Sequence, residues 1–195
     1  MNTLPDIHDG LMEGARQCPS PNHDARPADC APSLLVIHGI SLPPGQFGGP
    51  WVDALFRNQL PSGEHPFFRQ IAGLRVSSHL LIRRDGELVQ YVPFQRRAWH
   101  AGVSHYQGRR ACNDIAIGIE LEGTDELPYT DAQYRRLGPV AAAISRHYPD
   151  ISAERVVGHC HIAPGRKSDP GPHFQWFRLR QAMRNWSASG SGAGA

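Results

Sequence analysis

The run Ser33-Leu34-Leu35-Val36-Ile37-His38 is apolar without a break until its last residue, the pattern of a strand buried on both faces. Ile115–Glu122 alternates instead, with Ile115, Ile117, Ile119 and Leu121 on one side and Ala116, Gly118, Glu120 and Glu122 on the other, the pattern of a strand with two unlike faces. Ser78–Arg83 and Leu88–Pro93 are strand candidates, and Asp85-Gly86 between them is a hairpin signal. Arg155–His159 reads as one more short strand. Helical spacing places Trp51, Leu55 and Leu60 on one face of a first helix. Thr130-Asp131-Ala132-Gln133 matches a capping box and opens a helix to about His147, with a possible bend at Gly138-Pro139. A last helix is expected from His173 or Phe174 to Trp186. Strands interleaved with helices predict an α/β layer architecture around a central mixed β-sheet.

Outside this patterned region the chain changes character. The first 32 residues are polar and rich in Pro, Asp and Asn, with Leu11-Met12 as a short apolar pair, so residues 1–29 are expected to form an irregular arm. Residues 187–195 contain only Ser, Gly and Ala and are expected to be a disordered tail. Residues 30–186 then form one domain, a size that can bury a sizeable core.

The bulk numbers narrow the setting. A net charge of +2 gives no reason to expect nucleic acid or a membrane surface as partner. Met1 to Ser20 has neither a basic start nor an apolar run, which does not read as a signal peptide. Cys18, Cys30, Cys112 and Cys160 are too few and too scattered for a disulfide framework. A soluble, cytoplasmic monomer is the expectation.

Among 11 histidines, two end strands: His38, before Gly39, and His159, after Gly158. Asp169 follows ten residues after His159 in a Pro/Gly-rich loop. Two imidazoles and a carboxylate suit zinc and leave a fourth position open, as a hydrolase needs. Spacing alone leaves His161 and His173 as alternative ligands. Alternation likewise leaves Glu120 and Glu122 equivalent as a candidate acid/base. Lys167, two residues before Asp169, would stand near such a centre and offer a donor to an oxyanion. Trp99, His100 and His105 are candidates to line a cleft. Arg75, Arg109 and Arg110 are candidates to bind a carboxylate through a guanidinium fork.

Several separated segments, in order, resemble one family: Ile37-His38-Gly39-Ile40-Ser41-Leu42-Pro43-Pro44-Gly45, Ala98-Trp99-His100-Ala101-Gly102, Cys112-Asn113-Asp114, Gly118-Ile119-Glu120-Leu121-Glu122-Gly123-Thr124-Asp125, and Gly158-His159-Cys160-His161 running on to Lys167-Ser168-Asp169-Pro170-Gly171. They are similar to the type 2 N-acetylmuramoyl-L-alanine amidases, which include bacteriophage amidases and peptidoglycan recognition proteins. The branch resembled is the cytosolic one that acts on 1,6-anhydro-muramyl peptides. The resemblance implies a mixed sheet flanked by helices and one zinc per chain held by His38, His159 and Asp169. It implies Glu120 as the acid/base and Lys167 as the oxyanion donor, with substrate contacts at Arg75, Trp99, His100, Arg110 and Ala163. The implied reaction is cleavage of the amide between the muramic lactyl group and L-alanine, in cytoplasmic cell-wall recycling linked to control of β-lactamase induction. Asp169 supports the cytosolic branch, since phage and recognition-protein relatives typically carry cysteine there. Three positions depart from the pattern: Gly39 stands where close relatives usually have asparagine, Ala111 where they often have a basic residue that Arg110 or Arg109 could replace, and Pro139 is unexpected inside its helix.

Overall fold

The computed structural model describes residues 4–190. Leu34, Leu35, Val36 and Ile37 are fully buried, because their strand lies inside a sheet covered on both faces. The sheet has six strands: β1 (Arg16–Gln17), β2 (Leu34–Ile40), β3 (Leu80–Ile82), β4 (Leu88–Gln90), β5 (Ala116–Glu122) and β6 (Val156–Gly158), in the spatial order β6-β2-β5-β3-β4-β1. Neighbours run parallel except β3 and β4, which form the expected hairpin. At its turn Gly86 donates to Arg83 O at 2.9 Å with φ +91°, a backbone shape that glycine adopts without steric cost. The result is the expected α/β fold with a central mixed sheet. No described helix is long and apolar enough to cross a membrane.

Five helices complete the described chain: α1 (Trp51–Phe56), α2 (Pro66–Ile71), α3 (Asp131–His147), α4 (His159–Ile162) and α5 (Trp176–Gly190). Leu35, Ile37, Ile117, Ile119 and Leu121 point to one face, where they pack against Leu137, Val140, Ala141 and Ile144 of α3 and Leu179 and Met183 of α5. Each fully buried aliphatic side chain there contributes roughly 1.5–3 kcal/mol. The capping box forms as expected: Gln133 N donates to Thr130 Oγ1 at 3.1 Å, and Thr130 N to Gln133 Oε1 at 2.9 Å. The helix continues through Gly138-Pro139, and Gly138 has its own reason there: a Cβ would lie 2.6 Å from Ala182 Cβ of α5.

The opposite face carries two separate apolar clusters. Leu81 and Val89 pack with α1 and α2 through Val52, Leu55, Phe56 and Phe68. Leu34, Val36, Ala116 and Val157 pack with Ala101, Cys112 and Ile162. Strand alternation puts His38 and Glu120 on this second face, at the carboxyl ends of β2 and β5.

The region expected as an irregular arm contains regular structure. Ile7–His8 and Leu11–Met12 form a hairpin around Asp9-Gly10, β1 joins the sheet edge against Val89-Gln90, and His23–Ala25 pairs with Arg96–Ala98. These strands are two or three residues long, too short for a periodic signal, and tertiary pairing supplies what local pattern does not. Arg26 ties this segment to the core. Its guanidinium donates to Phe94 O, Asn113 O, Asp114 O and Ala116 O at 2.9–3.3 Å, and burial lowers its pKa to about 10. Other boundaries move as well: the first helix, expected to include Leu60, ends at Phe56, and β2 runs past His38 to Ile40. Helix α2 was not foreseen. The strand expected over Arg155–His159 shortens to β6, with Ala153–Arg155 a 3-10 turn and His159 the first residue of α4. Helix α5 runs to Gly190, past the boundary at 186, and the rest of the expected tail, 191–195, lies outside the described residues.

Arg26→Met keeps the aliphatic stem and leaves several inward carbonyls without a donor. It should destabilise the protein by at least about 2–3 kcal/mol, read from the midpoint of urea unfolding. An unchanged midpoint would show that the arm is not anchored this way.

Candidate active site

The β2–β5 ladder pairs Glu120 directly with His38. Parallel pairing of β6 with β2 then places His159, one residue beyond the end of β6, beside His38. The loop after α4 folds back on that helix, with Asp169 O accepting from Cys160 N at 3.0 Å, and this returns the Asp169 side chain to both histidines. Three donor atoms meet: His38 Nδ1 and His159 Nδ1 are 3.1 Å apart, and Asp169 Oδ2 lies 3.3 Å from the first and 3.1 Å from the second. Among the described residues these three are the one His/Cys/Asp/Glu group arranged to hold a metal ion. Zinc bonds of ~2.0–2.1 Å in a tetrahedron imply donor–donor edges of ~3.3–3.4 Å, so the triangle is close to one face of that polyhedron.

The far nitrogens of both rings are engaged. His159 Nε2 is 3.2 Å from Ala101 O, which makes that nitrogen the donor and leaves Nδ1 with its lone pair. His38 Nε2 is 2.9 Å from His100 Nδ1, which can accept its proton with the same consequence. The His100 ring lies against Gly118, where a Cβ would come within 2.7 Å of it. Burial lowers the pKa of His38, partly opposed by its bond to Asp169, and lowers that of His100 well below the usual value. Behind them His79 Nδ1 accepts a hydrogen bond from Gly118 N at 3.0 Å, and the ring is held neutral, its pKa lowered to about 3 by burial and by Arg26. Burial opposes ionisation of Asp169, but its bonds to His159 and His38 prevail and hold it well below the usual carboxylate range. Neutral imidazoles and an ionised carboxylate are the forms a metal requires.

The structure separates the two glutamates that alternation left equal. Glu122 is structural: its carboxylate accepts from Gly48 N at 2.7 Å and Arg84 N at 3.1 Å, anchoring the loop after β2. Glu120 is 8% exposed, and among the described residues no group donates a hydrogen bond to its carboxylate. Burial, and then the charge of Asp169, push its pKa well above the ordinary 4.5, while Lys167 pulls the other way. The Lys167 side chain is exposed, and its charge acts on both Glu120 and His38.

The remaining candidates are placed as follows. His161 is turned to a local task, its Nδ1 accepting from Gly158 N at 2.8 Å, and His173 is exposed; neither joins the donor group. His100 meets His38 directly. Ala163 is buried at the end of α4, where its carbonyl accepts from Arg166 N and Lys167 N. Trp99 is half-buried, Arg75 is exposed on a loop, and Arg110 is exposed on the hairpin of His105–Tyr106 and Arg109–Arg110. That hairpin borders a groove of about 670 Å³ with Gly102, Val103 and His105. Two supporting residues went unread in the sequence. Arg166 Nη2 donates to Ala101 O and Val103 O, both at 2.7 Å, bracing the carbonyl that His159 uses. Tyr129 donates to Pro170 O at 3.0 Å. Nothing local marks either one; only the folded loop shows what they hold.

This fold matches known proteins. A family model described as N-acetylmuramoyl-L-alanine amidase covers residues 28–172, and the chain belongs to that family of amide hydrolases. It is similar to the 1,6-anhydro-N-acetylmuramyl-L-alanine amidase AmpD of Escherichia coli K12, 63% identical over 174 residues, covering 89% of this chain and 94% of that protein. The crystal structure of a selenomethionine derivative of AmpD is similar at a TM-score of 0.89 and 61% identity, over 91% of this chain and 98% of that one. A complex of the Escherichia coli amidase AmiD with the substrate anhydro-N-acetylmuramic acid-L-Ala-D-γ-Glu-L-Lys is similar at a TM-score of 0.58 and 29% identity, over 91% of this chain and 65% of that one.

Asp169→Ala should lose most bound zinc after dialysis, whereas His161→Ala should keep one ion per chain, by elemental mass spectrometry. Full occupancy in Asp169→Ala would move the third ligand elsewhere.

Proposed function

We propose that this protein hydrolyses the amide between the lactyl group of 1,6-anhydro-N-acetylmuramic acid and L-alanine, using one zinc ion held by His38, His159 and Asp169. The observation that carries the reading is the triangle of three donor atoms beside a buried carboxyl to which, among the described residues, no group donates a hydrogen bond. The similarity to AmpD and to the AmiD–substrate complex supplies the substrate class. Zinc in this triangle supplies Lewis acidity toward a carbonyl oxygen and toward water, whose pKa it brings to about 7.

The chain's own residues supply the rest. Glu120 stands beside His38 on the same face of the sheet. Its carboxylate takes a proton from the attacking water and returns it to the departing alanine nitrogen, so one group serves as base and then as acid. A burial-raised pKa favours both steps over an ordinary exposed carboxylate. Lys167 offers ammonium donors to the oxygen that gains charge at the tetrahedral stage. Arg75, Trp99, His100, Arg110 and Ala163 remain the proposed substrate contacts, and His100 Nδ1 also lies 2.9 Å from His38 Nε2. The products are a free stem peptide and the anhydro sugar. We place the reaction in cytoplasmic recycling of cell-wall fragments by a monomer, with loss of activity raising β-lactamase induction; the four free cysteines accord with a reducing compartment.

Three results are expected. Zinc-loaded protein should release free tripeptide from an anhydro-muramyl tripeptide, in preference to the same peptide on a reducing muramyl sugar, by mass spectrometry. Cleavage of neither substrate by stoichiometrically loaded protein would leave a binding protein. Glu120→Gln should retain zinc and lose at least about 100-fold in kcat. In the wild type, kcat/KM should fall as pH falls through the raised Glu120 pKa, because the base must be ionised, so this acid limb lies above the ordinary carboxyl value of 4.5.

A further inference from the structure

Gly39 directly follows the ligand His38, and the space its missing side chain leaves is taken by Tyr129. A Cβ at position 39 would lie 2.5 Å from Tyr129 Oη, while the next nearest atoms, Pro170 Cα and Asp169 Cβ, are at 3.7 and 3.8 Å. A Cβ at Gly123 would likewise come within 2.4 Å of Tyr129 Cε1. The ring thus lies close against the ends of β2 and β5, edge-on to Phe174 with centroids 5.7 Å apart, and is 5% exposed.

From there the hydroxyl donates to Pro170 O at 3.0 Å, a buried bond to the residue after Asp169. Asp169 O accepts from Cys160 N at 3.0 Å. Two consecutive carbonyls on the Asp169 loop are therefore gripped from two different elements, one by α4 and one by Tyr129. These grips hold the backbone from which the Asp169 carboxylate reaches both histidines.

We infer that Tyr129 is a positioning residue for Asp169: its hydroxyl sets the third corner of the donor triangle, and Gly39 is glycine because that hydroxyl occupies the space beside it. The inference rests on the metal reading above.

The test is zinc affinity, by competition with a chromophoric chelator, for the full chain and for Tyr129→Phe, Gly39→Ala and the double variant, with thermal midpoints of the metal-free proteins alongside. Tyr129→Phe should weaken zinc about 10- to 100-fold, as for other groups that orient metal ligands. Gly39→Ala should weaken it to a similar extent. The double variant should bind no more weakly than Tyr129→Phe, because with the oxygen gone a Cβ at position 39 meets nothing nearer than 3.7 Å. A purely structural role would lower the midpoint of Tyr129→Phe and leave its zinc affinity at the wild-type value; that result overturns the inference, as do fully additive losses in the double variant. Wild-type protein that binds no zinc overturns the metal reading itself, and the inference with it.

Discussion

The residue-for-residue parallel pairing of β2 with β5 is the constraint on which the site depends. Seven consecutive pairs, from Leu34 with Ala116 to Ile40 with Glu122, put His38 and Glu120 side by side on one face. A slip of one residue would turn one of the two strands over and send its polar residue into the α3–α5 core. That core is built from Leu35, Ile37, Ile117, Ile119 and Leu121, so the register that buries them also aligns the chemistry. Stability and function are in this respect one requirement. The site then opens at the carboxyl ends of parallel strands, where loops rather than strands continue the chain.

Closing the triangle takes a second level of organisation. His159 and Asp169 come from one short helix and the loop that folds back on it, and their donor atoms come within 3.3 Å of His38 only because backbone groups are held close. Arg166 braces Ala101 O, His100 answers His38, and Tyr129 holds the peptide after Asp169. Each contact spans more than 40 residues of sequence. Burial completes the arrangement by favouring neutral His38 and His100 and a protonatable Glu120, while paired bonds keep Asp169 ionised.

The amino-terminal segment shows the same dependence on distant partners. The Asp9-Gly10 turn carries the same dipeptide signal as Asp85-Gly86, but flanking strands of two residues give it no periodic support. Nothing in the sequence marks Arg26, yet it is the donor for carbonyls from two separate segments, Phe94 and Asn113–Ala116. A polar, proline-rich stretch need not be irregular if the sheet edge and the β5 entry present groups for it to satisfy.

What the sequence by itself determined was whatever short-range pattern encodes: the buried run of β2, the alternation of β5, the β3–β4 hairpin, the capping box of α3, and the family to which the ordered motifs belong. These depend on periodicity and turn chemistry within a few residues. Alternation leaves Glu120 and Glu122 equivalent, and the folded chain gives them different surroundings: the Glu122 carboxylate accepts from Gly48 N and Arg84 N, while Glu120, the one the resemblance points to, has no hydrogen-bond donor among the described residues. Tertiary structure likewise set His161 aside, because helix α4 begins one residue after the end of β6 and turns that ring back onto Gly158. It also brought His100 within hydrogen-bond distance of the far nitrogen of His38, a contact that no local pattern marks. Such choices rest on hydrogen bonds and excluded volume between segments far apart in the chain, and those terms exist only once the chain has folded.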